Sequence, residues 1–188
     1  NGADSGTPPA DQTKTEGTDL TLADNTGTLA RDGFTFAGWN TETDGSGTDY
    51  AEGATYTADA DVTLYAKWTA LATYTVTYDT NGADSGTPPA DQTKTEGTVL
   101  TLATNTGTLA RDGFTFAGWN TADDGSGTEY AEGATYSNDA NLTLYAQWTQ
   151  LPTYTVTYNA NGADSGTAPA DQTKTEGTDL TLADNTGT

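Results

Sequence analysis

Gly33-Phe34-Thr35-Phe36-Ala37-Gly38-Trp39-Asn40 returns unchanged, eighty positions on, as Gly113-Phe114-Thr115-Phe116-Ala117-Gly118-Trp119-Asn120. Phe34 and Phe36 alternate with smaller residues as a half-buried strand requires, because successive side chains point to opposite faces of a sheet. Trp39 falls one place out of that alternation. Gly38 beside it supplies the backbone freedom for a bulge that swings the indole back toward the phenylalanine face. The stretch therefore reads as the packing centre of a small β module. An aromatic platform for a ligand is the other reading of the same rings.

The eighty-residue period extends well beyond this stretch. Asn1-Gly2-Ala3-Asp4-Ser5-Gly6-Thr7 reappears at Asn81 and again at Asn161. Residues 1–80 and 81–160 differ at 14 positions, among them Asp19/Val99, Asp24/Thr104, Lys67/Gln147 and Asp79/Asn159, and none of the differences falls on an aromatic. Core positions tolerate volume changes poorly, so this pattern is one fold written twice. A unit of this length exceeds the roughly 20–50 residues of most solenoid repeats and can close a modest core of its own.

Strand signals follow in order along the repeat. Tyr74-Thr75-Val76-Thr77-Tyr78 places Tyr74, Val76 and Tyr78 on one face. Asn81-Gly82 is a hairpin signal after it, and the Gly, Pro, Asp and Ser stretch that follows is a loop. Leu20-Thr21-Leu22 is a short strand with both leucines inward. Asp44-Gly45-Ser46-Gly47 connects the aromatic strand to Tyr50, and Tyr50 and Tyr56 flank a turn at Gly53. The last strand, Val62-Thr63-Leu64-Tyr65-Ala66-Lys67-Trp68, turns Val62, Leu64, Ala66 and Trp68 to one face. No segment sustains a 3.6-residue apolar period, so the fold class is mainly β, with at most a helical turn near 58–61. Five-residue linkers join the repeats, and Pro152 stiffens the second.

The formal charge of −21 makes nucleic acid and anionic membrane poor partners. Ten Tyr, four Trp and four Phe at strand spacing argue against disorder. The chain holds no Cys, which removes disulfides and thiolate metal sites, and no His, which removes the commonest general base. No apolar run reaches the roughly 20 residues of a membrane span. With no Met, and a first residue inside a repeat, the sequence reads as a window of a longer polypeptide.

Tyr-Thr-Val-Thr-Tyr with Asn-Gly, Gly-Phe-Thr-Phe-Ala-Gly-Trp-Asn, Asp-Gly-Ser-Gly and Leu-Tyr-Ala-(Lys/Gln)-Trp, in this order, resemble the Listeria–Bacteroides repeat, also called the internalin-type B repeat. The resemblance implies a small β-grasp-like module, found in tandem in surface proteins and adhesins of bacteria as a stalk or spacer, without catalytic residues. In that frame 74–149 is a complete module, 1–68 lacks its first strand, and 154–188 is the N-terminal half of a third repeat; a permuted frame gives 29–108 and 109–188. Unpaired strand edges are costly, so the mismatched ends call for completion, either by neighbouring repeats or by strand complementation between chains into a homopolymer. The expected structural core is Phe34, Phe36, Trp39, Trp68, Tyr74, Val76, Tyr78, Phe114, Phe116, Trp119, Leu144 and Trp148.

Candidate chemistry is sparse. Asp44, Asp49, Asp123 and Asp124 sit on flexible turns that resemble calcium loops, but the EF-hand spacing is missing and ordinary hairpin turns account for them. The serines have no histidine partner, so no usual triad forms. Lys14, Lys94 and Lys174 occupy equivalent places after polar threonines, read as exposed, and are the candidates for an isopeptide crosslink. The expectation is a non-enzymatic, extracellular surface spacer or fibre module without a resident cofactor. Its rival is a glycan- or protein-binding module that uses Trp39, Tyr50 and Tyr56 as exposed aromatics.

Overall fold

A computed structural model describes residues 2–185. The strands, in chain order, are β1 (Leu20–Thr21), β2 (Phe34–Asn40), β3 (Asp49–Tyr50), β4 (Thr55–Tyr56), β5 (Tyr65–Ala70), β6 (Thr73–Asp79), β7 (Gln92–Thr95), β8 (Leu100–Thr101), β9 (Phe114–Asn120), β10 (Glu129–Tyr130), β11 (Thr135–Tyr136), β12 (Leu142–Gln150), β13 (Thr153–Val156) and β14 (Gln172–Thr175). The chain is all-β, with no helix among the described residues and hence none long and apolar enough to cross a membrane. The 58–61 segment, expected to turn helically, is a bend. Asp59 there accepts hydrogen bonds from Lys14 Nζ and the Gly17 amide, and such side-chain bonds compete with helix formation.

Two compact units divide the chain: Asn1–Thr73 with Thr95–Gly97, and Tyr74–Lys94 with Thr98–Thr188. The first holds a three-stranded sheet in the order β3-β2-β5 and a small β1-β4 pair. The second holds a five-stranded sheet in the order β10-β9-β12-β6-β7, a small β11-β8 pair, and a separate β13-β14 hairpin.

The aromatic strand carries the bulge its sequence calls for. Between β2 and β5, Phe36 faces Trp68 but Trp39 faces Ala66, so β2 spends one residue more than its partner. Gly38 absorbs the extra residue at a φ of 101°. A Cβ there would stand 2.5 Å from the Tyr50 carbonyl oxygen, so both backbone angle and space demand glycine. The consequence is a ring cluster: Phe36 meets Trp39 edge-on at 5.1 Å and Trp68 at 5.6 Å, and Phe116 meets Trp119 and Trp148 at 5.1 and 5.7 Å. Each bulge-directed indole spends its N–H on a main-chain carbonyl, Trp39 on Ala23 and Trp119 on Ala103.

Two details of the sequence reading are corrected. Gln92–Thr95, which has no strand signal in the sequence, is a strand, and its side chains are polar throughout. Val62 is 39% exposed and lies outside any strand, because β5 begins only at Tyr65 and is an edge strand among the described residues.

Candidate functional site

The candidate site is the seam where β6 and β7 lie along the edge of the β9-β12 sheet. In the second unit β6 lies parallel beside β12, with Val76 opposite Leu142, Thr77 opposite Thr143, Tyr78 opposite Leu144 and Asp79 opposite Tyr145. Val76, Leu144 and Ala146 are all at 0% exposure and belong to one buried cluster. Polar bonds fix the register around them: the Thr75 amide donates to Asn141 Oδ1 at 2.8 Å, and Thr77 Oγ1 bonds Thr143 Oγ1 at 3.1 Å. Register matters because a slip of one residue would turn Val76 out to solvent.

Three further groups fasten the hairpin. Tyr78 packs its ring against Trp119 at 4.8 Å, donates its hydroxyl to Gln92 Oε1 and accepts from the Ala103 amide at 2.8 Å. Burial pushes the Tyr78 hydroxyl pKa up, with the Ala103 amide bond pulling the other way. Asn81, at a φ of 44°, sends its side-chain amide to the Asp123 and Ala146 carbonyls, both at 2.8 Å, while its own carbonyl accepts the Trp148 indole N–H at 2.9 Å. Lys94 on β7 is only 1% exposed, and its ammonium bonds Asp139 Oδ1 at 2.5 Å. The Asp139 carboxylate reaches water, so the buried stem ends in a partly solvated ion pair.

The same positions differ in the other two copies. In the first unit the residues matching Leu142, Thr143 and Leu144 are Val62, Thr63 and Leu64; none is in a strand, and Leu64 is only half-buried. In the third copy the hairpin exists without a sheet to cover. β13 and β14 pair with each other in antiparallel register, from Thr153 opposite Thr175 to Val156 opposite Gln172. Its clamp is already made: Tyr158 donates to Gln172 Oε1 and accepts from the Ala183 amide at 2.8 Å, as Tyr78 does with Gln92 and Ala103. Part of its apolar face is bare, with Tyr154 at 53% and Leu182 at 60% exposure while Val156 and Tyr158 are half-buried, whereas Leu102, the counterpart of Leu182, is at 1%.

Of the expected core residues, Trp39, Val76, Tyr78, Trp119 and Leu144 are buried, and Phe34, Phe36, Trp68, Tyr74, Phe114, Phe116 and Trp148 are half-buried. The candidate aromatic platform is not an open surface: Trp39 and Tyr56 are buried and Tyr50 is half-buried against Tyr56. The reading of the three lysines as exposed is corrected: Lys94 is buried on the inward face of β7, and Lys14 and Lys174 are half-buried. Asp44 accepts from the Ser46 amide and hydroxyl at 2.9 and 2.6 Å, and these bonds hold its carboxyl below the usual range. Asp124 does the same with Ser126. Asp49 pairs with Lys67 at 2.5 Å and accepts from Asn40, which lowers its pKa too. Asp123 contributes its carbonyl to Asn81. Among the described residues no group of three or more acidic side chains gathers to hold a metal.

Sequence reasoning missed the buried Asn40 and Asn120 as loop organisers. The Asn40 side chain bonds the Gly45 and Gly47 carbonyls and the Glu42 and Gly47 amides, and Asn120 bonds Gly125 and Ala122. An asparagine closing each aromatic strand, just before a Gly-rich loop, was the available signal.

The Listeria-Bacteroides repeat domain matches the chain three times, at residues 1–67, 74–147 and 154–188. The chain belongs to the Listeria-Bacteroides repeat family. Repeats of this family occur in internalin-like surface proteins and are in general not catalytic. Similar curated proteins include a Gly-rich membrane protein of Evansella cellulosilytica, 38% identical over 85% of this chain and 19% of that protein. Internalin H of Listeria monocytogenes is 33% identical over 64% of this chain and 20% of its own length. The chain thus spans about a fifth of the curated relatives it matches. No solved structure matches this Listeria-Bacteroides repeat chain.

Proposed function

We propose that this chain is a structural segment of a bacterial surface protein, a non-catalytic spacer whose modules are closed by a β-hairpin taken from another copy of the repeat. One observation carries the reading. The β6-β7 hairpin brings Val76 and Leu144 to zero exposure, whereas β13-β14, nearly identical in sequence, leaves Tyr154 and Leu182 exposed and Val156 only half-buried, and β5 leaves the matching edge open among the described residues. By analogy with β6 on β12, the third-copy hairpin would set Val156, Thr157 and Tyr158 beside Val62, Thr63 and Leu64 of a second chain in parallel register. Added strands gain main-chain hydrogen bonds and side-chain pockets together, the usual logic of strand addition. Because the Tyr158 clamp is preformed, docking orders little that is not already ordered.

The parallel pairing of β6 with β12, the first and last strands within 74–149, supports the β-grasp-like reading of a module running over those residues. Placement outside the cell rests on the named relatives, and the acidic surface keeps such an array soluble. Burial of Trp39 and Tyr56 speaks against the glycan- or protein-binding alternative. Sedimentation of the full chain over a range of concentrations tests the proposal. Association that rises with concentration and is abolished by Val156→Asp is expected; a monomer at micromolar concentration, with 154–188 readily cut by protease, would refute it.

A further inference from the structure

Asn81-Gly82 and Asn161-Gly162 are the same dipeptide in the same backbone state, each asparagine at a φ of 44° and its glycine at 80° and 81°. What differs is the side chain's surroundings. The Asn81 amide is held by two main-chain carbonyls, and the residue's own carbonyl accepts the Trp148 indole. Asn161 is exposed; among the described residues the one hydrogen bond it shows joins its main-chain amide to Asn159 Oδ1, and none of them comes within 4 Å of where a Cβ on Gly162 would stand.

We propose that Asn161-Gly162 is a site of spontaneous deamidation and that hairpin docking is what protects its counterpart, Asn81-Gly82. In the reaction the Gly162 main-chain nitrogen, having lost its proton to hydroxide, attacks Asn161 Cγ. A C–N bond forms, the side-chain amide nitrogen leaves as ammonia, and the five-membered succinimide that results is opened by water to aspartate or isoaspartate. Glycine presents no side chain to obstruct the ring closure. Attack at Asn81 needs the amide to leave both carbonyls first, so each docked hairpin is held unreactive by the bonds that dock it.

The product has a structural consequence, and this consequence rests on the hairpin-addition reading above. A carboxylate in place of the amide would aim negative oxygen at two carbonyl oxygens, positions equivalent to Asp123 and Ala146, where donors are required. A hairpin that stays undocked long enough to deamidate then loses its ability to dock. The repeat carries a one-way chemical record of whether it was ever closed.

The test is incubation of the full chain at mildly alkaline pH, at a concentration where it sediments as a monomer, with peptide mapping by mass spectrometry to follow the unit mass gain and the isoaspartate product at each site. Asn161 should convert at least about ten-fold faster than Asn81, the factor expected from losing one or two net hydrogen bonds. In denaturant the two rates should converge. Equal native rates, or a ratio that survives denaturant, would overturn the proposal. Asn81→Asp should lower the thermal midpoint of the second unit, and an unchanged midpoint would remove the docking consequence. If the parent chain never associates while the rate ratio holds, hairpin addition fails and the deamidation site stands.

Discussion

Truncating Leu144 and Leu64 to alanine, one at a time, separates a closed module from an open one. The two leucines are the same residue at the same place in the repeat, yet Leu144 is fully buried beneath β6 and Leu64 is half-buried. Removing a fully buried leucine costs the transfer term and a cavity term, about 3–4 kcal/mol. For Leu64 only part of the transfer term applies and solvent can fill the space, which leaves about 1 kcal/mol. A module of eighty residues has roughly 4–12 kcal/mol to lose, so the first change is severe and the second mild. Hydrogen exchange resolved by fragment reads each unit separately within the full chain. Protection in β9 and β12 should fall by about 3–4 kcal/mol in Leu144→Ala, and protection in β2 and β5 by about 1 kcal/mol in Leu64→Ala. At concentrations where chains associate, the Leu64 cost should climb toward that of Leu144. Equal losses in dilute solution, or a Leu144 loss below about 1.5 kcal/mol, would refute the reasoning.

Other outcomes follow from single contacts. Gly38→Ala should cost at least about 2 kcal/mol in urea unfolding, since its Cβ would meet the Tyr50 carbonyl and its φ is unfavourable for any side chain. Asp139→Ala should destabilise the second unit by about 3 kcal/mol, because it leaves the buried Lys94 without its carboxylate, and pairing it with Lys94→Met should recover most of that loss. Asp59 is held below its ordinary pKa chiefly by the Lys14 ammonium and next by the Gly17 amide. Its contribution is therefore present above the unfolded-state value, near pH 4, and is lost as pH falls through the lower folded-state value. In Asp59→Asn the midpoint of the first unit, followed by thermal melts from pH 6 to 2, should fall less steeply with acid than in the parent; identical slopes would contradict the assignment.

The aromatic strand was legible because its information is local: two phenylalanines in alternation, a glycine, then an indole one place out of step can be satisfied only by a bulge. Val62 shows where local information stops. Its alternation with Leu64 and Ala66 is correct, but a strand needs a partner, and in the closed copy that partner, Val76 for Leu142, lies 66 positions away. β7 was illegible for the opposite reason. Gln92-Thr93-Lys94-Thr95 has no apolar alternation, and its inward face is made by a lysine stem and a glutamine that bonds Tyr78. The helical turn expected near 58–61 gave way to the Asp59 side chain, which bonds across 45 residues to Lys14. The seam itself emerged only as a comparison of three copies, since residues 73–95 and 153–175 differ at three positions, Asp79/Asn159, Thr80/Ala160 and Pro88/Ala168, and are told apart by what covers them.

The parallel setting of β6 and β12 also decides how a repeat would bear tension. Load arriving along the chain enters β6 at its N-terminal end and departs from β12 at its C-terminal end, so the two strands are drawn lengthwise past each other. Every bond between 76–79 and 142–145 then resists at once, as rivets do in a lap joint, instead of parting singly as in a peeled hairpin. A stretched array of such repeats should give way in discrete, high-force steps, one for each closed module, and an open module should yield first.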